Sequence, residues 1–223
     1  MKRCVIFDLD GTLADTSGDL LAAANAAFDR IGSPARLDPS SAEDRAVALT
    51  GARPMLRLGL SRLGEVDEEM VDAGYRPLLD AYDADIASET RFYPGALDAV
   101  RRLRARGDAV GICTNKPEGL TRKLLDALDA SALFDAMVGA DTIDVSKPDP
   151  EHFWETVRRC DGDRARSLLV GDTATDRKTA AAAGVPCILV TFAPDGHSVA
   201  DLDPAALLHD FADLESVVDP LLG

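Results

Sequence analysis

Arg3–Asp8 reads RCVIFD and runs directly into LDGTL at Leu9–Leu13. A strand with one wet face alternates apolar and polar side chains. A near-continuous apolar run marks a strand buried on both faces, the habit of parallel sheets covered by helices. The pattern recurs at Ala109–Thr114 (AVGICT), Ser167–Gly171 (SLLVG) and Cys187–Phe192 (CILVTF). Helix punctuation falls between these runs. Pro94-Gly95 opens a helical pattern that stops at Gly107, and Pro117 falls in the first turn of the next. Asp149-Pro150 supplies an N-cap followed by proline at the first helical position, and Ala180–Ala183 ends at Gly184 with Pro186 beyond. Strand alternating with helix implies right-handed crossovers in a doubly wound, Rossmann-like parallel sheet of the α/β class.

One stretch breaks the alternation. From Asp15 to Glu89 only helical patterns occur. Leu21, Ala24, Phe28 and Ile31 form one apolar stripe before Gly32, and Leu56, Leu60 and Leu63 form another before Gly64. Val71, Tyr75, Leu78 and Tyr82 form a third, with Pro77 expected to kink it. The expectation is a catalytic α/β core of residues 1–14 and 90–223, with residues 15–89 as an inserted all-helical cap. A helical lid over the carboxyl ends of the strands is the natural arrangement, since nothing in the insert reads as a Gly/Ser/Pro-rich linker.

The formal net charge of -15 repels nucleic-acid backbone and anionic membrane, so neither is an expected partner. Phosphate chemistry in such a field requires a local cation. No apolar run approaches the ~20 residues of a membrane span. The first residues are too quickly followed by acids for a signal peptide. The four cysteines, Cys4, Cys113, Cys160 and Cys187, show no CxxC spacing, and three lie inside apolar strand-like runs. They read as small buried hydrophobes in a reducing cytoplasm rather than as disulfides or zinc ligands.

Ligands of open parallel sheets bind beyond the carboxyl ends of the strands. The first strand ends in Asp8-Leu9-Asp10-Gly11-Thr12, the second in Thr114-Asn115-Lys116, and the third in Gly171-Asp172-Thr173-Ala174-Thr175-Asp176. Ser146-Lys147-Pro148 lies just before a helix start, its proline biasing Lys147 toward extended backbone. Four carboxylates at one rim repel each other unless a cation sits among them, and a hard dication with oxygen ligands such as Mg2+ resolves this. Asp172 and Asp176, four apart at the start of an alanine-rich helix, are expected on one helix face. Thr114 and Asn115 offer uncharged donors to phosphate oxygens, and Lys147 can neutralise a carboxylate and a phosphate together.

These motifs resemble, in order, the four motifs of the haloacid dehalogenase-like hydrolases: DLDGTL at Asp8–Leu13, the Thr114-Asn115-Lys116 turn, Lys147-Pro148-Asp149-Pro150, and Gly171-Asp172 with Asp176. The resemblance spans the whole chain, including a helical cap inserted after the first motif. Phe92-Tyr93-Pro94-Gly95, TNKPEGLTRKLL at Thr114–Leu125 and TGARPMLRLGLSRL at Thr50–Leu63 resemble the phosphoglycolate phosphatase branch. The resemblance implies an Mg2+-dependent phosphatase acting on a small phosphorylated metabolite, with 2-phosphoglycolate as the first expectation. It implies that Asp8 is the nucleophile and a metal ligand. Asp10 would be the general acid and base, with its backbone carbonyl on the metal. Thr114 and Asn115 would bind phosphate, Lys147 would anchor both phosphate and nucleophile, Asp172 would ligate the metal, and Asp176 would hold Lys147 or a metal-bound water. Arg53 in the cap stretch suits a substrate carboxylate and reads also as a solvated arginine at a helix start.

Lys116 stands equally well toward substrate or at the Pro117 helix start. His152, His197 and His209 lack partner spacing and read as surface or structural, and Trp154 as core or helix-packing. Phe192-Ala193-Pro194-Asp195 departs from the glycine–aromatic turn expected of phosphoglycolate phosphatases, which bears on substrate rather than on chemistry. Three other readings remain open: a phosphomutase of the same fold, a phospho-aspartate signalling module, and a metal-free dehalogenase. Monomer and homodimer both remain open.

Overall fold

Cys4–Phe7, Leu168–Val170 and Ile188–Val190 are completely buried, as near-continuous apolar strands require. The computed structural model of the chain describes residues 2–194 and 199–223. The chain divides into two compact units, Met1–Ala14 with Phe92–Gly223, and Asp15–Arg91.

The first unit is built on a sheet of β1 (Lys2–Phe7), β4 (Ala109–Cys113), β5 (Ala136–Val138), β6 (Gly162–Gly171), β7 (Cys187–Val190) and β8 (Ala206–Leu208), in the order β5-β4-β1-β6-β7-β8. Every pairing is parallel. The strand succession runs outward on one side from β1 to β5, then crosses to β6 on the other. The order therefore reverses at β1, and the crevice of a doubly wound sheet opens there. Phe7 pairs with Ile112 and with Val170, so the three central strands end level and deliver their next residues to one rim. β5 and β8, of three residues each, have too few positions to register as apolar runs in the sequence.

Among the described residues, five helices cover the sheet: α5 (Ala96–Ala105), α6 (Glu118–Ala127), α7 (Pro150–Arg159), α8 (Ala174–Ala183) and α9 (Leu214–Leu222). Asp149 caps α7 by accepting the Glu151 amide, with Pro150 at the first helical position. Gly184 ends α8 at φ 69°, a left-handed conformation suited to a residue without Cβ. Phe153 and Val157 on α7 pack with Ile6, Cys113, Leu169 and Leu189 in one apolar cluster. Trp154 lies at its margin, with the Arg164 guanidinium 4.0 Å above its ring.

The second unit contains α1 (Ser17–Arg30), α2 (Ala42–Ala48), α3 (Ala52–Ser61) and α4 (Glu68–Ala84). Two-residue strands, β2 (Ala14–Asp15) and β3 (Arg91–Phe92), mark the places where the chain passes between units. Leu21, Ala24, Phe28, Leu56, Val71 and Leu78 are completely buried, as their stripes require. Leu63 departs from its stripe and is 54% exposed. α3 ends at Ser61 with Arg62 as C-cap, so Leu63 has lost the helical phase that would turn it inward. α4 runs through Pro77 without ending there. α2 carries no sustained apolar stripe and is invisible to periodicity; Ser41 caps it by accepting the Asp44 amide. Among the described residues, no helix is long and apolar enough to cross a membrane.

Candidate active site

The rim beyond β1, β4 and β6 collects the charged residues. Asp8 follows β1, its amide still bonded to the Val170 carbonyl at 2.9 Å. Its Oδ1 accepts the Leu9 amide at 2.7 Å, and its Oδ2 lies 2.8 Å from the Lys147 Nζ. Gly11, at φ 80°, turns the chain back so that the Gly11 amide reaches the Ala14 carbonyl. That turn sends the fully buried Thr12 hydroxyl to Asp172 Oδ1 at 2.8 Å. Lys147 precedes a cis peptide bond to Pro148.

Asp8, Asp172 and Asp176 place carboxylate oxygens within 4.8 Å of one another, all three residues buried. The expectation that Asp172 and Asp176 share a helix face is corrected: Asp172 lies before the helix, Thr173 is the N-cap of α8, and Asp176 is its third residue. The capping turn unites them instead. Asp176 Oδ2 accepts the Asp172 amide at 3.3 Å, the Thr173 amide at 3.1 Å and the Thr173 hydroxyl at 2.7 Å, while Oδ1 accepts Lys147 Nζ at 2.6 Å. With its oxygens so engaged, Asp176 is a poorer metal donor than Asp8 or Asp172.

Burial pushes Asp8 up to about 6, against the pull of Lys147 and with the push of Asp176. Burial first, then Asp176 and Asp8, raise Asp172 well above the ordinary carboxylate range. Burial by itself would lower the Lys147 ammonium, but Asp176 and Asp8 outweigh it and hold the ammonium charged. With all three carboxylates ionised, one ammonium leaves two negative charges uncompensated, the amount that one dication neutralises. Oxygen-only donors in a buried, net-negative cluster fit a hard dication.

Thr114 is buried at the end of β4; its Oγ1 accepts the Lys116 amide at 3.3 Å, leaving the hydroxyl proton to donate. Asn115 is exposed and its side-chain amide donates to the Lys147 carbonyl at 3.0 Å, tying two of the motif turns together. Lys116 turns toward Asp10, with Nζ 3.0 Å from Oδ2. Arg53 belongs to the helical unit, where it pairs with Asp72 and lies 4.8 Å over the Tyr75 ring. His152 is fully buried, with Nε2 3.0 Å from the Gly139 carbonyl and Nδ1 3.3 Å from Cys113 Sγ. His209 is exposed beside Thr191. Phe192 packs on Tyr93 and Phe211, whereas Asp195 and His197 lie outside the described residues. Sequence reasoning missed the Thr12–Asp172 bond and the Lys116–Asp10 pair. Thr12 stands inside the first motif, but a side-chain direction is not readable from its spacing.

A family model of haloacid dehalogenase-like hydrolases matches residues 5–190. Phosphoglycolate phosphatase of Mesorhizobium japonicum is 36% identical over 211 residues, covering 94% of this chain and 92% of that protein. Phosphoglycolate phosphatase of Caulobacter vibrioides is 36% identical over 220 residues, covering 98% and 91%. A crystal structure of a predicted phosphoglycolate phosphatase from Haemophilus somnus superposes with a TM-score of 0.83 at 23% identity, over 97% of each chain. With the sheet, the strand-end motifs and these matches together, the chain belongs to the haloacid dehalogenase-like hydrolases. Within that family, the Mesorhizobium and Caulobacter relatives are both phosphoglycolate phosphatases by name.

Proposed function

We propose that this chain is an Mg2+-dependent phosphatase of small phosphate monoesters, with 2-phosphoglycolate as its substrate, working through an aspartyl phosphate on Asp8. Family membership and the curated relatives make it a phosphoric monoester hydrolase. The observation that carries the chemical reading is the clamp of Lys147 on Asp8 beside Asp172, with Asp10 two residues further along the same turn. The free thiols, all buried, agree with a reducing cytoplasm as its compartment.

The Asp8 carboxylate and the Asp172 carboxylate, with the Asp10 carbonyl, would hold Mg2+, which when bound offsets the negative charge of carboxylates and phosphate. Lys147 and Thr114 bind the phosphoryl group. An Asp8 oxygen forms a bond to phosphorus as the bond to the substrate oxygen breaks, and Asp10 gives that oxygen its proton. Asp10 then takes a proton from water as water bonds to phosphorus and the bond to Asp8 breaks, releasing phosphate. Dividing one displacement into two is the gain of a covalent intermediate, and a positioned acid and base contributes about 10²–10⁴-fold. Residues 15–89 would serve as the cap to a core of 1–14 and 90–223, with Arg53 reading the substrate carboxylate.

Asp8→Asn is expected to abolish hydrolysis of p-nitrophenyl phosphate, and chelating Mg2+ is expected to silence the wild type. Full activity in either case would refute the mechanism. Arg53→Ala should weaken binding of 2-phosphoglycolate while sparing p-nitrophenyl phosphate; equal loss on both removes its role.

A further inference from the structure

Lys116 takes no part in the chemistry proposed above, yet it is one of two lysines buried at this rim, its side chain only 4% exposed. A buried ammonium costs several kcal/mol unless paired, so its partner is informative. One partner is Asp10, with Oδ2 3.0 Å from Nζ. The backbone beneath Lys116 is held from two sides. Its amide donates to Thr114 Oγ1 at 3.3 Å, and its carbonyl accepts the Ala140 amide at 3.1 Å. Gly139 packs against this turn so closely that a Cβ there would lie 2.6 Å from the Lys116 carbonyl oxygen and 2.3 Å from the Glu118 nitrogen. The ammonium therefore projects from a rigid base, whereas the Asp10 carboxylate, partly exposed, sits on two rotatable bonds.

We propose that Lys116 is a positioning residue that holds the Asp10 carboxylate in the orientation from which it exchanges protons with the leaving oxygen and with water. The inference rests on the proposed function, which makes Asp10 the acid and base. Proton transfer demands heavy-atom approach within hydrogen-bond reach, so a carboxylate that rotates away serves poorly. A displacement of about 1 Å costs on the order of 10²-fold.

The test compares wild type, Lys116→Met, Lys116→Arg, Asp10→Asn and the Lys116→Met/Asp10→Asn double variant, with p-nitrophenyl phosphate and an alkyl phosphate. p-Nitrophenolate leaves without a proton, whereas an alkoxide needs one. Lys116→Met should slow alkyl phosphate turnover about 10²-fold with KM little changed. With p-nitrophenyl phosphate it should give a burst of one equivalent of p-nitrophenol before a slow steady state, with a phosphoryl adduct visible by intact mass. Lys116→Arg should recover part of kcat. In the Asp10→Asn background, Lys116→Met should cost little more, because both act through one carboxylate. A raised KM on both substrates without a burst, or losses that simply add in the double variant, overturns the inference and makes Lys116 a substrate anchor or a structural group. Should Lys116→Met fail to fold, the burst and the double-variant cycle are read in Lys116→Gln, and the same results support or overturn the inference. Activity surviving in Asp8→Asn defeats the underlying mechanism instead, so the two failures are distinct.

Discussion

At the scale of single residues, the site is a set of carboxylates held by named donors, with Lys147 shared between two of them. Asp8 has a lysine and a backbone amide, Asp176 a lysine and its own capping turn, and Asp172 the Thr12 hydroxyl. Thr12→Val should leave Asp172 without its donor while keeping the volume. Expected are a loss of about 1–3 kcal/mol in urea denaturation and an Mg2+ requirement shifted upward by about 10–100-fold in activity titrations. An unchanged Mg2+ dependence would leave Thr12 a packing residue. His152 supplies a pH prediction. Burial lowers its imidazole below the ordinary 6.5, against the Gly139 hydrogen bond and Asp149, and with Lys147 adding to the lowering. Facing Cys113 from β4, it stays neutral in the fold. The unfolded chain binds a proton that the folded chain refuses, so this contribution to stability is complete above about 6.5 and is lost as pH falls through the lower folded value. Urea midpoints should therefore fall on acidification below that point, and less steeply in His152→Gln.

At the scale of elements, the loops after the strands are braced against one another rather than free. The Thr114 amide bonds to the Val138 carbonyl at 3.0 Å, Glu118 accepts the Thr142 hydroxyl at 2.6 Å, and the Glu118 amide donates to Asp141 at 2.7 Å. Gly139 lies at the centre of this bracing. Gly139→Ala places a methyl against backbone that has no side chain to yield, so the Thr114–Lys116 turn must move. Overpacking of this kind costs about 1–3 kcal/mol. Turnover should drop with the thermal midpoint, and wild-type values of both would show that the two loops part easily. Local signals read many element ends correctly because capping is a property of four or five consecutive residues. Asp149-Pro150 and Gly184 did begin and end helices. Leu63 shows the limit: a stripe continues on paper past the residue where the helix stops.

At the scale of the whole molecule, four cysteines are buried in the α/β unit, with burial pushing Cys113 and Cys187 up to about 12. Cys160 beside it, and then burial, raise Cys4 as well. The native protein should therefore resist a thiol reagent such as DTNB at neutral pH, and all four thiols should react once the chain is unfolded; rapid native labelling would contradict this packing. A net charge of -15 repels an anionic substrate, so phosphate chemistry needs a local cation, and the buried Lys147 offers one at the rim. The sequence by itself determined the class of sheet, the helical insert, the family and the identity of the motif residues. The sheet class and the insert depend on apolar periodicity, and the family on the resemblance of short ordered motifs; both are local properties of the chain. Only the tertiary structure decided that β1 lies between β4 and β6, so that Asp8, Thr114 and Asp172 emerge side by side. It alone also decided that Lys116 faces Asp10. Partners such as Lys116 and Asp10 lie over a hundred residues apart, and their meeting depends on strand order and register, which no short window of sequence contains.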